Sequence, residues 1–131
     1  MSDNMKLIQY FVKGCISNET EKLGNLVSPK FVYVLNLDEY FDWEEFVVRN
    51  RTLHHTTNIV IHEISSEDDV HFHYDFDISL PEPNLEIAAR GFIQIIVKGG
   101  LITRIDAHTN NTEEEFKTFQ ELREKSSTIL L

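Results

Sequence analysis

Between Val70 and Leu80 the odd and even positions separate into two kinds. Val70, Phe72, Tyr74, Phe76, Ile78 and Leu80 fall on one side, and His71, His73, Asp75, Asp77 and Ser79 on the other. Side chains alternate across a strand with period two, so the stretch predicts a strand of an antiparallel sheet with one buried face. Pro81-Glu-Pro-Asn breaks it, and Leu85–Val97 returns as a long strand. One face of that strand carries Ile87, Ala89, Gly91, Ile93 and Ile95; the other carries Glu86, Ala88, Arg90, Phe92, Gln94 and Ile96. Lys98-Gly-Gly predicts a tight turn, because glycine supplies the positive φ that hairpin turns require. Leu101–Thr109 completes the meander. Upstream, Phe31–Leu35 is apolar on both sides, Thr56–Ile64 alternates less regularly, and Ser65–Asp69 is a polar turn.

The remaining segments have helical periodicity. In Met5–Ile16, Ile8, Phe11, Val12 and Cys15 recur at i, i+3, i+4 and i+7, a stripe that must be buried. Asn18 followed by Glu21 predicts a capping box and a short second helix that buries Leu23, Leu26 and Val27 and ends at Pro29. After a loop over Asn36–Phe41, Asp42 with Glu45 marks a third helix start, which buries Trp43, Phe46, Val47, Asn50 and Leu53. Asn50 is the polar member of that face. It is either satisfied by backbone groups or turned toward a cavity. Thr112 with Glu115 predicts a C-terminal helix to about Lys125 that buries Phe116, Phe119 and Leu122. The order of elements gives an α+β fold in one domain, 1–131, with helices on one face of the sheet.

Composition narrows the function. Twelve Lys and Arg against 22 Asp and Glu leave a net charge of −10, which disfavours nucleic acid and membrane surfaces as partners. The lone Cys15 excludes an internal disulfide and suits a reducing compartment, so the expected location is the cytoplasm. Leu7–Val12 is too short and wrongly flanked for a secretory signal.

Three stretches carry a resemblance: Leu-Gly-Asn-Leu-Val-Ser-Pro-Lys-Phe-Val-Tyr-Val (23–34), Asp-Trp-Glu-Glu-Phe (42–46) and Ile-Ile-Val-Lys-Gly-Gly-Leu-Ile-Thr-Arg-Ile (95–105). Through them the chain resembles the NTF2-like superfamily, in particular its SnoaL-like branch, over roughly Met5–Thr109. The resemblance implies a cystatin-like cone. A curved mixed or antiparallel sheet wraps the N-terminal helices around an apolar pocket, and the fold is often dimeric. The C-terminal helix is an addition to shorter members. Members include polyketide cyclases, ketosteroid isomerases, dehydratases and epoxide hydrolases, beside non-enzymatic binding modules, so fold alone selects no function. The isomerases' hydroxyl-bearing Tyr falls at Phe11 here, their general base near Leu35 and their second acid near Ile93. All three are apolar, and that mechanism needs a base and an oxyanion donor.

With the apolar faces inward, the expected pocket wall is Tyr33, Leu35, Phe72, Tyr74, Phe76, Ala89, Gly91, Ile93, Thr103, Ile105 and Ala107. The small residues Ala89, Gly91 and Ala107 are expected to leave room. Tyr33, Trp43, Asn50, Tyr74 and Thr103 are the candidate ligand contacts, for a small hydrophobic molecule and with no cofactor. Asp38 and His55 are the candidate acid–base pair of an enzymatic alternative. On the outer face, Phe92 and Ile96 among His71 and His73 predict a sheet-to-sheet homodimer, and no enclosing shell supports a metal. Three readings stand: a binding protein for a small apolar molecule, a cyclase-, isomerase- or dehydratase-type enzyme, and a structural or partner-binding module with a filled core.

Overall fold

The computed structural model describes residues 2–80, 88–109 and 114, with the backbone alone at 53–56 and 88. Helix α1 (Asp3–Ile16) is capped by the Ser2 hydroxyl, which accepts from the Met5 N–H at 3.0 Å. A 3-10 helix (Thr20–Leu26) leads into β1 (Val27–Leu35) and β2 (Glu39–Phe41). Helix α2 (Trp43–Thr56) follows, then β3 (Asn58–Ile61), β4 (His71–Ser79), β5 (Ala88–Lys98) and β6 (Leu101–Thr109). The strands form one sheet in the order β2-β1-β6-β5-β4-β3. Pairing is antiparallel everywhere except between β1 and β6, which run parallel. The architecture is therefore α+β, a curved mixed sheet around its helices. Among the described residues no helix is long and apolar enough to cross a membrane.

Local chemistry accounts for most boundaries. At α2 the expected capping box is present: Asp42 Oδ1 accepts from the Glu45 N–H at 2.8 Å, and Glu45 Oε1 accepts from the Asp42 N–H at 3.2 Å. The β5–β6 turn places Gly99 and Gly100 at φ 59° and 77°. Asp68 starts β4 by accepting from the Val70 and His71 N–H groups at 2.9 and 2.7 Å. Those bonds and the adjacent His71 imidazole hold its carboxyl well below the usual carboxylate range.

Three expectations need correction. The capping box at Asn18 and Glu21 does not form: Asn18 lies at φ 58°, the segment is 3-10, and its N-cap, Glu19, makes no side-chain cap bond. Pro29 does not end an element but lies within β1. It is exposed, in a stretch where the register with β6 is irregular, and there its missing N–H costs no ladder bond. The loop expected over 36–41 contains β2. Asn36 and Leu37, at φ 51° and 69°, make a tight turn closed by the Asp38 N–H on the Leu35 carbonyl at 3.3 Å. The expected C-terminal helix, the Pro81–Asn84 break, the start of the Leu85 strand, and the side chains of Leu53 and His55 lie outside the described residues.

Register orders the concave face into rows. Tyr33, Ile105, Ile95 and Phe72 stand side by side across β1, β6, β5 and β4, and the next row is Leu35, Ala107, Ile93 and Tyr74. Beyond it come Thr109, Gly91, Phe76 and Ile61, then Ala89, Ile78 and Ile59. The first row belongs to the core. Ile105, Ile95 and Phe72 are buried in one cluster with Ile8 and Phe11 of α1 and Phe46 of α2. Aromatic rings brace this end: Trp43 meets Phe31 edge-on at 5.4 Å, and Phe46 stacks on Trp43 at 5.6 Å.

Candidate functional site

The later rows are not filled. A cavity of about 120 Å³ lies between them and the helices. The sheet contributes Tyr33, Leu35, Ala107, Thr109, Ile93, Ala89, Tyr74, Phe76, Ile78, Ile61 and Ile59. Helix α1 contributes Val12, Cys15 and Ile16 from its last turns, and α2 contributes Phe46, Arg49 and Asn50. Most of the wall is aliphatic or aromatic carbon, and its polar atoms come from a few side chains.

Asn50 resolves both ways. Its amide nitrogen donates to the Cys15 carbonyl at 3.0 Å and to Thr20 Oγ1 at 2.6 Å, tying α2 to the end of α1, and the same residue lines the cavity. The carbonyl only accepts, which settles which end of the amide faces it. Cys15 packs beside this junction. Burial pushes its thiol up to about 12, against a smaller lowering by the Thr20 hydroxyl, so it is a protonated wall residue and not a nucleophile.

Tyr74 stands opposite. Burial raises its hydroxyl well above the ordinary range, with the neighbouring Cys15 and Tyr33 adding to the effect, so it stays a neutral donor. It makes no hydrogen bond among the described residues. Thr109 is held at the β6 end by Asn36, whose Oδ1 accepts from the Thr109 N–H at 2.9 Å and its hydroxyl at 3.3 Å.

The structure thus brings Tyr33, Asn50 and Tyr74 together on the cavity and leaves two other candidate contacts away from its lining. Trp43 packs among Phe11, Phe31 and Phe46, and the Thr103 hydroxyl donates to the Ile96 carbonyl at 3.2 Å. Phe72 and Ile105, expected on the wall, belong to the core. Gly91 leaves no room either: a Cβ there would lie 1.8 Å from the His108 carbonyl oxygen, so glycine serves a close backbone approach. Asp38 is exposed in the β1–β2 turn, away from the cavity. His55's side chain is outside the described residues.

Residue-by-residue reading of the sequence missed Arg49 and the β3 wall. Arg49 follows Phe46 by three residues, so helical periodicity alone places them on neighbouring positions. Ile59 and Ile61 share a phase that points them at the same face.

The outer face carries several paired charges with apolar side chains between them, and the exposed Asp75 lies directly across from Phe92. Asp77 meets His62 at 3.0 Å and Arg90 at 3.2 Å, and Arg104 meets Asp106 at 2.9 Å. His71 is engaged by Asp68 at 2.6 Å, and His73 is exposed. Phe92, 40% exposed, stacks on His108 at 4.7 Å, with Val60 57% exposed on the same face. Ile96 is half-buried.

No protein-family model matches the chain, and no curated protein matches it in sequence. Solved structures do match. A steroid delta-isomerase from Pseudomonas aeruginosa superposes with a TM-score of 0.74 at 12% identity, over 99% of this chain and 96% of that one. A protein named as a SnoaL-like polyketide cyclase from Jannaschia sp. CCS1 gives 0.65 at 10% identity, over 82% and 85%. An NTF2-like protein of unknown function from Cytophaga hutchinsonii gives 0.65 at 11% identity, over 82% and 89%. At these identities the likeness speaks for architecture, and with the rows, the helices and the cavity in hand it is unambiguous: the chain has the NTF2-like, SnoaL-like fold.

Proposed function

We propose that the protein binds a small apolar molecule in this cavity. The observation that carries the reading is the hydroxyl of the half-buried Tyr74, a donor with no described partner on a mostly apolar wall. Such a group costs free energy unless something supplies an acceptor, and phenylalanine would fill the same space without that cost. About 120 Å³ suits one ring or a short branched chain, since an engineered cavity of about 150 Å³ takes up benzene. Binding is preferred over acid–base catalysis because no Asp, Glu or His lies among the described lining residues. The test is uptake of toluene followed by calorimetry or NMR. Ala107→Leu should abolish it by filling the space between Leu35 and Ile93. A parent protein that takes up neither toluene nor a hydrophobic dye overturns the reading.

We also propose that two copies associate through the outer face. Phe92 and Val60 are exposed there, and two of the carboxylates on this face, Asp77 and Asp106, pair with Arg90 and Arg104 of the same copy. Carboxylates already paired within one copy cost less to desolvate than free ones.

A further inference from the structure

The chain carries 22 acidic residues and a net charge of −10, yet no acidic side chain is among the described lining of the cavity, which includes one cation, Arg49. The other described arginines are each matched. Arg51 meets Glu21 at 3.0 Å, Arg90 meets Asp77 at 3.2 Å, and Arg104 meets Asp106 at 2.9 Å. Arg49 pairs with no carboxylate among the described residues. Its guanidinium lies over the Phe41 ring, 4.8 Å from the centroid. A cation–π contact engages the face of the guanidinium and leaves the N–H groups at its edge unspent. A half-buried arginine left unmatched in so acidic a chain is the arrangement that recognises a carboxylate brought from outside, because its planar fork fits that group with two parallel hydrogen bonds. The Tyr74 hydroxyl adds a second donor facing the same space. The cavity therefore offers hydrogen-bond donors and a positive charge around an apolar interior, the reverse of the molecule's overall sign.

We infer that the ligand is a small carboxylic acid in its ionised form, with an apolar body of about one ring in the cavity and its carboxylate on Arg49. This rests on the proposal that the cavity binds a small apolar molecule, and it names the class of that molecule.

The experiment compares benzoate and phenylacetate with their neutral amides, and with toluene, on the full chain by calorimetry or NMR titration. The acids should bind about tenfold or more tighter than the amides, the usual worth of a charge-assisted pair over a neutral one. In Arg49→Gln, shown to be folded by circular dichroism, the ratio of acid to amide should fall to about one. Arg49→Lys, which keeps the charge but loses the fork, should retain part of it. Acids that bind no tighter than amides while toluene is taken up overturn the inference and leave the cavity reading standing. So does an acid preference that survives in Arg49→Gln. If neither the acids, the amides nor toluene bind, the cavity reading and the inference fall together.

Discussion

Two adjacent rows of the same sheet behave in opposite ways. In one, Ile105, Ile95 and Phe72 are at most 3% exposed and form a single cluster with Ile8 and Phe11. One register step along the strands, Ala107, Ile93 and Tyr74 face the cavity. The strands continue unchanged, so backbone does not make the difference. Side-chain size and helix reach do. Isoleucine gives way to alanine on β6, and the bulky part of α1 gives way to its last turns at Cys15 and Ile16. What this teaches is that alternation marks a face as inward without saying whether anything fills it.

The comparison breaks first at Phe72. Phe72→Ala removes a fully buried ring from the filled row and should cost about 3–5 kcal/mol in denaturant unfolding. Tyr74→Phe, one step along, should leave the midpoint unchanged or raise it slightly, because it deletes a donor that has no partner among the described residues. Equal losses at both positions would mean the two rows are packed alike.

The outer side of the same rows is the setting for association. Phe92→Asp should weaken a dimer by about 2–4 kcal/mol by burying an unpaired charge, read as monomer by sedimentation where the parent sediments as a dimer. A monomeric parent at about 100 μM, far above the ~1 μM typical of ordinary interfaces, dismisses that interface.

Ala107→Leu sharpens the contrast directly. A filled row would be overpacked and destabilised by about 1–3 kcal/mol. Facing a cavity, the added carbons should leave stability unchanged or increased while toluene uptake disappears.

Cys15 reports on the junction between the helices through pH. Its folded thiol is raised to about 12, above its unfolded value, so its contribution is complete below the unfolded value near 9 and is lost as pH rises toward 12. Unfolding free energy should therefore decline between pH 9 and 11 by up to about 1.4 kcal/mol per unit, and Cys15→Val should flatten that decline. An identical slope in the variant would place the thiol in water.

The smallest effect concerns α2, which supplies Phe46 to one row and Arg49 and Asn50 to the cavity. Asp42→Ala should cost about 1 kcal/mol by leaving helix N–H groups unsatisfied, measured as a shifted urea midpoint at neutral pH. An unchanged midpoint would mean the capping box contributes nothing.

Local chemistry made much of this protein legible in its residues. Alternation in Val70–Leu80 and Leu101–Thr109, the Asp42–Glu45 box and the Gly99-Gly100 turn each depend on contacts within a few positions, and each stands within a residue or so where it was read. The three stretches that carry the family resemblance point to the right fold for the same reason: short-range patterns are written in contiguous sequence. The stretch that is apolar on both sides, Phe31–Leu35, lies in β1, where Val34 is 1% exposed.

Tertiary structure decided what depends on distant partners. The parallel pairing of β1 with β6 joins residues some seventy positions apart, and nothing within either strand specifies it. Strand β2 exists because a left-handed turn at Asn36 and Leu37 returns three residues to the edge of β1, a segment too short to show periodicity. A small residue such as Gly91 reads as open space in the sequence, but the backbone of a neighbouring strand occupies it. Whether Asn50 was satisfied or cavity-facing could not be told from α2, since its partners, Cys15 and Thr20, lie 35 and 30 residues away. The cavity has the same origin. Each wall residue reads as an ordinary inward side chain, and only the distance between α1, α2 and the later rows of the sheet leaves a space among them.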